Sequence, residues 1–490
     1  VRWEVVNADV GMVTNVYIST ATVPVANTGC GGGGGVSFTL NQTTENVYID
    51  DVLSPEWKDS QNCHATPGAD GVVTFENCHI VRNCSAKNGF AYFRRGIFTN
   101  CVVEANCATN SENGVFYTYA GWVNCYNTTF MNNWATNRYG IGGPASAYNC
   151  LVSGNSAYLG TVGGFYLSGN TTLRDCVFTN NYSGENGGAV GFANGSSPVV
   201  TNCLFINNYA KKRGGALTGH PQKAYNTLFI GNEAGEEGGA VNYGGSYFGC
   251  RFLRNKAPRY GASNAGYTYR NCEFIENEAS GSGGAVNAGN FRDCLFLRNK
   301  AKTSGAFSSY NSTIRNCVFI ENVAEDDGIG AGIGTGMFNC LFMDNETTGT
   351  TKGLFYFGTF YNCTFIRNKT GGKTFFGNNG SIVNCIFNEN LPYDISGNRT
   401  YINCLYGTKT GSAPMTDCIM TSDPGFNMGY NPKLADYAPG RWSKARDAGL
   451  WQSWATNDVD LSSRVRINKV IDIGCYEYWP HGMQTIFSVK

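Results

Sequence analysis

A short motif that recurs along most of the chain restricts its fold more than any other feature. The string Asn-Cys-x-Phe-x-x-Asn returns with small variations between Asn77 and Asn390, for example from Asn202 to Asn208. Thr128 and Thr227 replace the cysteine in two copies, and with these there are fifteen copies at intervals of 19 to 27 residues. A repeat of this length is one structural unit that buries its apolar side only by stacking on its neighbours. The 490 residues are therefore expected to form one stacked domain rather than several globular ones.

Each copy has the composition of short β-strands. Runs of Cys, Phe, Val, Ile and Tyr alternate with Gly, Asn and Ser turns, and no segment shows helical spacing of its apolar residues. Many copies also carry Gly-Gly-Ala followed by Val or Leu, as at 187–190 and 214–217. We predict an all-β fold, a single right-handed parallel β-helix of about 15 coils of roughly 23 residues. Residues 1–75 would form an N-terminal cap with the first strands, 76–410 the repeats, and 411–490 a C-terminal capping segment.

The repeated cysteine becomes a column along such a stack. Cysteine and the phenylalanine two positions later point to the same side of a strand, so both are expected in the core. Successive thiols would be separated by the strand spacing, which is too far for a disulfide, so the column should be reduced. Its members are Cys78, Cys101, Cys150, Cys176, Cys203, Cys250, Cys272, Cys294, Cys317, Cys340, Cys363, Cys385 and Cys404.

Seven cysteines lie outside this column. Two of them follow the closing Asn of successive coils and should be neighbours, while two pairs lie near the two ends of the chain. A chain that begins at Val1 rather than Met is expected to have lost a secretory signal, and in an oxidising compartment exposed cysteines are usually paired. The predicted disulfides are Cys84 with Cys107, Cys30 with Cys63, and Cys418 with Cys475, which leaves Cys125 over.

Charged residues also follow the columns. Four residues after the column cysteine, the sign alternates between coils through Arg254, Glu276, Arg298 and Glu321. Opposite charges on stacked strands attract, so we expect these columns to fix the register rather than to bind a ligand. The net charge of zero argues against nucleic-acid or anionic-membrane partners, and no apolar stretch is long enough for a membrane helix.

The repeats resemble those of a known bacterial family. The paired Phe-x-x-Asn and Gly-Gly-Ala-[Val/Leu] motifs are similar to the repeats of polymorphic outer membrane proteins, which are surface-exposed or secreted β-helix adhesins. The order Asp447-Ala-Gly, Asp460-Leu, then Asp472-Ile-Gly-Cys-Tyr-Glu-Tyr is similar to the end module of secreted bacterial right-handed β-helix proteins. This resemblance, over about residues 75–480, implies a β-helix and an exported location. The chain differs from the outer-membrane family because it has no C-terminal barrel domain.

Catalysis or metal binding would require clustered polar side chains, and none stands out. The four histidines are scattered, at His64, His79, His220 and His481. The turn around His220 resembles an element of pectin hydrolases, but their paired-Asp and Arg-x-Lys elements are lacking. The pairs Asp326-Asp327 and Asp50-Asp51 lack the alternating ligand spacing of a loop metal site. We therefore predict no catalytic, cofactor-binding or metal-binding residues and no cofactor.

Our leading hypothesis is a secreted or cell-surface structural or adhesive protein that self-associates, forming extracellular fibres or matrix. The alternative is a carbohydrate-active β-helix enzyme, either a polysaccharide lyase or a glycoside hydrolase, with its groove along a parallel sheet. A third hypothesis is a carbohydrate-binding or host-adhesion module without activity. The expected partners are a second copy of the chain or a cell-surface polysaccharide.

Overall fold

The computed structural model describes most of the chain after residue 95. It covers 96–478 except 110–113, 144–145, 220–221, 309–310, 331–334, 351–352, 356–357, 373–375, 377–379, 397–398, 427–436, 453 and 455–470, and except the side chains of 117–121, 222 and 327. Before residue 96 it describes the backbone of the strands and the side chain of Ile80. The chain divides into an N-terminal unit, Val1–Gly266, and a C-terminal unit, Tyr267–Lys490, and each is described by itself.

Each unit is a stack of coils in which strands pair in parallel with the equivalent strands of the next coil. The predicted right-handed parallel β-helix is thus confirmed. Each unit contains three such sheets: sheet 1 before the Asn-Cys corner, sheet 2 after it, and sheet 3 after the Asn that closes the motif. The described residues contain no α-helix, and no helix among them is long and apolar enough to cross a membrane.

The N-terminal unit opens with an antiparallel hairpin, Arg2–Asn7 and Met12–Tyr17. Its sheet 1 contains Thr39–Leu40, Val73–Glu76, Ala91–Thr99, Phe116–Tyr126, Ser146–Tyr148, Thr172–Arg174, Val199–Thr201, Gln222–Tyr225 and Gly245–Phe248. Sheet 2 contains Val47–Asp50, Cys78–Val81, Val102–Glu104, Thr129–Met131, Leu151–Ser153, Val177–Thr179, Leu204–Ile206, Leu228–Ile230 and Arg251–Leu253. Sheet 3 contains Cys84–Ser85, Cys107–Ala108, Trp134–Ala135, Ser156–Ala157, Tyr182–Ser183, Tyr209–Ala210, Glu233–Ala234 and Lys256–Ala257. A fourth sheet follows the Gly-Gly-Ala segments, with Phe165–Leu167, Val190–Phe192, Leu217–Thr218, Val241–Asn242 and Ser263–Asn264.

The C-terminal unit repeats the same plan. Its sheet 1 contains Thr268–Arg270, Asn290–Arg292, Thr313–Arg315, Gly336–Phe338, Thr359–Tyr361, Ser381–Val383, Thr400–Ile402 and Met415–Thr416. Sheet 2 contains Glu273–Ile275, Leu295–Leu297, Val318–Ile320, Leu341–Met343, Thr364–Ile366, Ile386–Asn388, Leu405–Tyr406 and Ile419–Met420. Sheet 3 contains Glu278–Ser282, Lys300–Thr303, Val323–Asp327, Glu346–Thr347 and Lys369–Thr370.

Stacked phenylalanines fill the interior of each unit. Phe178 stacks on Phe205 at a centroid distance of 4.8 Å, and Phe205 on Phe229 at 5.1 Å, with nearly parallel rings. All three side chains are fully buried, and in the C-terminal unit the Phe319 and Phe342 rings repeat the arrangement at 4.8 Å. Equivalent residues meet because parallel in-register pairing places each residue above its counterpart one coil away. The core is therefore a continuous aromatic column within each unit.

A buried column of asparagines lies beside the aromatic one. Asn208 donates through its backbone N and its Nδ2 to Asn232 Oδ1, at 3.1 and 2.9 Å, and Nδ2 also reaches Phe178 O at 3.0 Å. The same three bonds recur through the C-terminal unit as far as Asn390. There, Asn390 donates to Asp394 Oδ1 instead, and Asp394 Oδ2 accepts from the backbone N of Gly407 and Thr408 at 2.9 Å. Each buried amide is thereby satisfied by the next coil.

Two corners of each coil have left-handed backbone. The Asn before the column cysteine has a φ near +50°, as at Asn202 (52°), and the residue four after the cysteine does too, as at Arg254 (52°) and Glu276 (57°). Asn tolerates this conformation readily, whereas Arg and Glu adopt it rarely. The predicted bend at the Asn is confirmed, and the alternating charges turn out to occupy the second bend.

The C-terminal segment packs against the side of the coils. Tyr437, Cys475 and Tyr476 cover Leu341 and Met343, which point outward from sheet 2. Further along, Ala445 and Ile473 cover Ile386 and Leu405 in the same way. Polar contacts fix the segment in place, since Asn384 exchanges hydrogen bonds with the backbone of Leu450 and Cys475 N donates to Thr364 Oγ1 at 3.1 Å. We call residues 437–478 the lateral segment.

Candidate functional site

The predicted cysteine column lies in the core. Its twelve members from Cys101 to Cys404 are buried free thiols, while the side chain of Cys78 lies outside the described residues. The thiols donate to the carbonyl two residues earlier, as Cys203 Sγ does to Thr201 O at 3.3 Å. Thr227 makes the same bond through its hydroxyl, to Tyr225 O at 2.9 Å, which explains why threonine replaces cysteine there. Burial raises the pKa of the Cys317 thiol well above its usual value, so that thiol stays protonated and unreactive.

The predicted disulfide between Cys418 and Cys475 is wrong, because both thiols are free. Cys418 extends the cysteine column by one coil, since its Sγ accepts a bond from the backbone N of Cys404 at 3.4 Å. Cys475 is fully buried in the lateral segment, where it packs with Leu341 and Tyr437. Both residues are apolar packing elements, as the column cysteines are.

The predictions for the other cysteines outside the column are tested to different extents. Cys84 and Cys107 are register partners on adjacent coils of sheet 3, as expected, and Cys107 is disulfide-bonded. The side chain of Cys84 lies outside the described residues, so its role as the partner stays a prediction. Cys30 and Cys63 lie outside the described residues. Cys125 is a buried free thiol whose pKa is raised by burial, next to the column.

Of the histidine and aspartate candidates, only the side chain of Asp326 lies within the described residues. The side chains of His64, His79, His220 and His481, and of Asp50, Asp51 and Asp327, lie outside the described residues. Asp326 forms an exposed ion pair with Lys302 at 3.6 Å. Within the described part of the chain, no group of three His, Cys, Asp or Glu side chains is arranged to hold a metal ion.

The alternating charges pair between coils. Arg298 contacts Glu321 at 2.6 Å and Glu276 at 3.5 Å, and Lys369 contacts Glu346 at 2.8 Å. These side chains are about half exposed, so each pair contributes little to stability. The expected attraction between successive coils is therefore confirmed for these pairs.

A pocket of about 430 Å³ opens on the outer side of the fourth sheet. In this sheet the outward column runs through Tyr166, Gly191, Thr218 and Asn242. The side chain of Val162 fills the space beside Gly191, since a Cβ at Gly191 would clash with Val162 Cγ2 and would lie 3.4 Å from Tyr166 Cδ2 and 3.5 Å from Thr218 Cγ2. The glycine thus makes room for Val162, which lines the pocket together with Tyr166 and Thr218.

The lining of the pocket is aromatic and polar without charge. Its described residues are Thr161, Val162, Tyr166, Asn186, Phe192, Asn194, Thr218, Gly219 and Tyr243. Tyr166 is held by stacking on Tyr139 at 4.2 Å. Tyr243 is held from behind by Arg213, whose Nη1 donates to the phenol oxygen at 3.2 Å. Arg213 also contacts Glu236 at 3.2 Å and Glu237 at 3.9 Å, so its charge is balanced away from the pocket.

A buried amide beside the pocket has a donor without a partner. Asn242 is fully buried, and its Nδ2 makes no hydrogen bond. Its Oδ1 accepts a bond from Asn264 Nδ2 at 2.9 Å on the next coil. Since the oxygen faces Asn264, the nitrogen lies on the side of Thr218, which lines the pocket. An unpaired buried donor is costly.

A row of aromatic rings runs along the outer side of sheet 3. Trp134, Tyr158, Tyr182 and Tyr209 follow one another with centroid distances of 5.8, 6.4 and 5.7 Å. All four are at least partly exposed, Tyr158 by 53%. We call these four residues the aromatic row. In the next coil the column continues with Glu233, so the row is confined to the first part of the sheet.

Sequence reasoning missed both the pocket and the row. The signal for the pocket was the residue after each Gly-Gly-Ala-[Val/Leu] segment, which reads Gly191, Thr218 and Asn242 in successive copies. The signal for the row was a Tyr or Trp directly after the closing Asn, as at Tyr182 and Tyr209. Neither is distinctive until the stacking order is known, because the spacing between the copies varies.

Comparison with known proteins supports the fold. The family model described as the right-handed β-helix region matches residues 66–256. Among curated proteins, none matches the sequence significantly. One similar solved structure is a mannuronic acid specific polysaccharide family 6 lyase from human gut microbiota, 12% identical over 59% of this chain and 70% of that chain, with a TM-score of 0.24. Another is the periplasmic alginate epimerase AlgG, in a double-mutant form, 10% identical over 77% of this chain and 83% of that chain, with a TM-score of 0.20.

Proposed function

We propose that the protein binds a polysaccharide through its N-terminal unit, with an uncharged sugar residue in the pocket lined by Tyr166 and Tyr243. The observation that carries this proposal is the lining of the pocket: two tyrosines, Tyr166 and Tyr243, beside amide and hydroxyl groups. Its volume of about 430 Å³ falls within the usual range for small-ligand sites and is large enough for one or two sugar rings.

The chemistry of a sugar matches these side chains. The C–H face of a pyranose ring packs on an aromatic ring, and its hydroxyl groups both donate and accept hydrogen bonds. The side-chain amides of Asn186 and Asn194 offer both functions at the pocket. A carboxylated sugar finds no free cation among the described lining residues, so a neutral sugar is the better match.

The aromatic row supports a chain-like ligand rather than a single sugar. Its four rings repeat at intervals of about 6 Å over successive coils of sheet 3. A polymer bound along the coil axis meets a similar surface at each step. Each exposed ring adds a small, additive contribution, which is how extended polymers are commonly held.

Two of the hypotheses drawn from the sequence, the carbohydrate-active enzyme and the carbohydrate-binding module, also have a carbohydrate as ligand. The solved structures described above are, by their descriptions, a polysaccharide lyase and an alginate epimerase, which is the class of the alternative hypothesis rather than of the structural or adhesive one. At TM-scores of 0.24 and 0.20 the likeness extends to the fold alone. Binding is proposed here from the pocket and the row. An exported location stays a prediction.

The proposal is tested with the purified chain and a panel of neutral and acidic polysaccharides, by affinity electrophoresis and isothermal titration calorimetry. We expect a neutral polysaccharide to bind and Tyr166→Ala to weaken binding about ten-fold, since one stacked ring contributes roughly 0.5–1.5 kcal/mol. The matched control is Tyr225→Ala. It removes an exposed ring that stacks on Phe248 at 5.1 Å in sheet 1, away from the pocket, and should leave affinity unchanged.

Three results would count against the proposal. These are the absence of binding to every polysaccharide, binding that Tyr166→Ala and Tyr225→Ala weaken equally, and binding restricted to acidic polymers. Release of unsaturated or reducing sugars during the same incubations would instead support the alternative of a carbohydrate-active enzyme.

A further inference from the structure

Two Asn-Gly sequences lie in the described part of the chain, and both asparagines line the pocket of the N-terminal unit. They are Asn186-Gly187 and Asn194-Gly195. Asn-Gly is the sequence most prone to spontaneous deamidation, because glycine has no side chain to hinder the attack of its backbone nitrogen on the amide carbon of the asparagine. The reaction also requires that this nitrogen is not engaged in a hydrogen bond and that the asparagine can rotate towards it. The two sites differ in both respects.

Asn186 is held within the stack of coils. It forms a parallel β-bridge with Arg213 of the next coil, and the backbone N of Gly187 donates to Arg213 O at 2.9 Å. The carbonyl of Asn186 accepts a bond from Ser183 Oγ at 2.9 Å, and that of Gly187 accepts one from Gly163 N at 3.1 Å on the preceding coil. The nitrogen that would attack is therefore engaged, and the backbone around it is fixed. Reaction at Asn186 requires this part of the coil to open first.

Asn194 lies instead in an exposed turn between the fourth sheet and sheet 1. Ser196 N donates to Ala193 O at 3.2 Å, so Asn194 and Gly195 are the two central residues of the turn. Gly195 has a φ of 77°, at the turn position that favours glycine. Both central residues are exposed, and a Cβ on Gly195 would meet no atom within 4 Å. Among the described residues, none bonds to the backbone N of Gly195 or to the side-chain amide of Asn194.

We propose that Asn194 deamidates spontaneously in the folded protein, whereas Asn186 is protected. The backbone N of Gly195 loses its proton to water or hydroxide and attacks Cγ of Asn194. The new C–N bond closes a five-membered succinimide ring, and Nδ2 leaves as ammonia with the proton it takes up. Water then adds to one of the two ring carbonyls and opens the ring, which gives aspartate or isoaspartate. The overall change converts asparagine and water into a carboxylate and ammonia.

The product places a negative charge at a pocket whose described lining is uncharged. A side-chain amide both donates and accepts hydrogen bonds, whereas an ionised carboxylate only accepts them. A neutral sugar in the pocket would lose a donor, and an anionic one would be repelled. In isoaspartate the main chain of the turn is also one carbon atom longer. The effect on binding rests on the proposed function, while the reaction itself depends only on the turn.

Peptide mapping of the intact chain after incubation at mildly alkaline pH tests the reaction. A brief acidic digestion that cleaves after Phe192 separates the two asparagines, and mass spectrometry measures a gain of about 1 Da at each. We expect Asn194 to convert with time into two products, at least about ten-fold faster than Asn186, because the coil at Asn186 must first open. The matched control is the same chain in urea, where the protecting hydrogen bonds are lost and both sites should react at similar rates.

An Asn194 that stays unmodified while the unfolded chain reacts would overturn the proposal, and so would equal rates at the two sites in the folded chain. The effect on the pocket is measured with the neutral polysaccharide. Asn194→Asp should weaken its binding roughly two- to ten-fold, the equivalent of one hydrogen bond, and an incubated Asn194→Ser chain should bind as its fresh form does. An incubated native chain that is deamidated at Asn194 but keeps its full affinity would overturn the effect on the pocket. If the fresh chain binds no polysaccharide, the proposed function fails, and the peptide map still decides the reaction.

Discussion

The outward side of sheet 2 differs between the two units in what covers its aliphatic residues. In the N-terminal unit Leu204, Ile206, Leu228 and Ile230 keep part of their surface in water, whereas in the C-terminal unit Ile366 and Ile386 are 1% exposed beneath the lateral segment. The repeat motif and the parallel in-register pairing are the same in both. The comparison shows that burial at these positions is decided by a segment from outside the repeat. The coil has the same backbone arrangement whether these outward side chains are covered or partly exposed.

The largest effect should come from placing a charge on the covered side. Ile366→Asp puts an unpaired carboxylate beneath the lateral segment, and we expect a loss of about 4 kcal/mol or more of unfolding free energy. Ile206→Asp, at the equivalent strand position of the N-terminal unit, should change it by about 1 kcal/mol or less because water still reaches the side chain. Urea unfolding at low protein concentration measures both. Similar losses in the two variants would show that the N-terminal side is also covered.

A smaller effect on stability should distinguish Arg367 from Arg298, two arginines that each lie four residues after a column cysteine. Arg367 makes two bonds of 2.8 Å to Asp344 and donates to Tyr437 of the lateral segment at 3.1 Å. Arg367→Met should therefore cost about 1 kcal/mol, and amide hydrogen exchange should speed up in residues 437–450. Arg298 pairs only with Glu276 and Glu321 among the charged groups, and all three are about half exposed. Arg298→Met should leave stability and exchange almost unchanged, and an equal effect of the two variants would remove the distinction.

The smallest effect is expected at alkaline pH. Burial, with the nearby Tyr166, raises the pKa of Tyr139 to about 12, while the more deeply buried Tyr401 of the C-terminal unit is raised further by burial. A tyrosine whose pKa is higher in the folded state binds its proton longer than the unfolded chain does, so stability falls as pH rises from about 10 to 12. Absorbance titration near 295 nm should show Tyr139 ionising before Tyr401, and Tyr139→Phe should reduce the loss of stability in that range. A Tyr139 that titrates near 10 would contradict the packing of the Tyr139–Tyr166 pair.

The repeat was enough to predict the structure of one coil because each residue of the motif has one structural role. The buried cysteine, the stacked phenylalanine and the Asn at a left-handed corner all follow from in-register parallel stacking, as at Cys203, Phe205 and Asn202. Thr227 follows as well, since its hydroxyl donates to the same carbonyl position as the thiols. These tasks are local to a coil and its two neighbours, which is why a single sequence is enough to find them.

Features that depend on more distant parts of the chain could not be predicted. Cys475 has no neighbour in sequence to show that it packs on Leu341, more than a hundred residues away. The pocket is lined by Tyr166 and Thr218 from the coils on either side of Gly191, and finding this needs the stacking order of three copies of unequal length. The charged residues at the second corner, such as Arg254, gave no sign of left-handed backbone, because Arg rarely adopts it.

The carboxylate at the end of the buried asparagine column limits how the protein can lengthen. Each asparagine both accepts from the coil before it and donates to the coil after it, so a duplicated coil inserted anywhere along the column would find a donor on one side and an acceptor on the other. Asp394 accepts from Asn390 and from the backbone of Gly407 and Thr408, but its side chain has no proton to pass on when ionised. A copy of the repeat added after Asp394 would therefore start with its own amide unsupported. Gene duplication can extend this protein from within the column, while the buried asparagine column itself ends at Asp394.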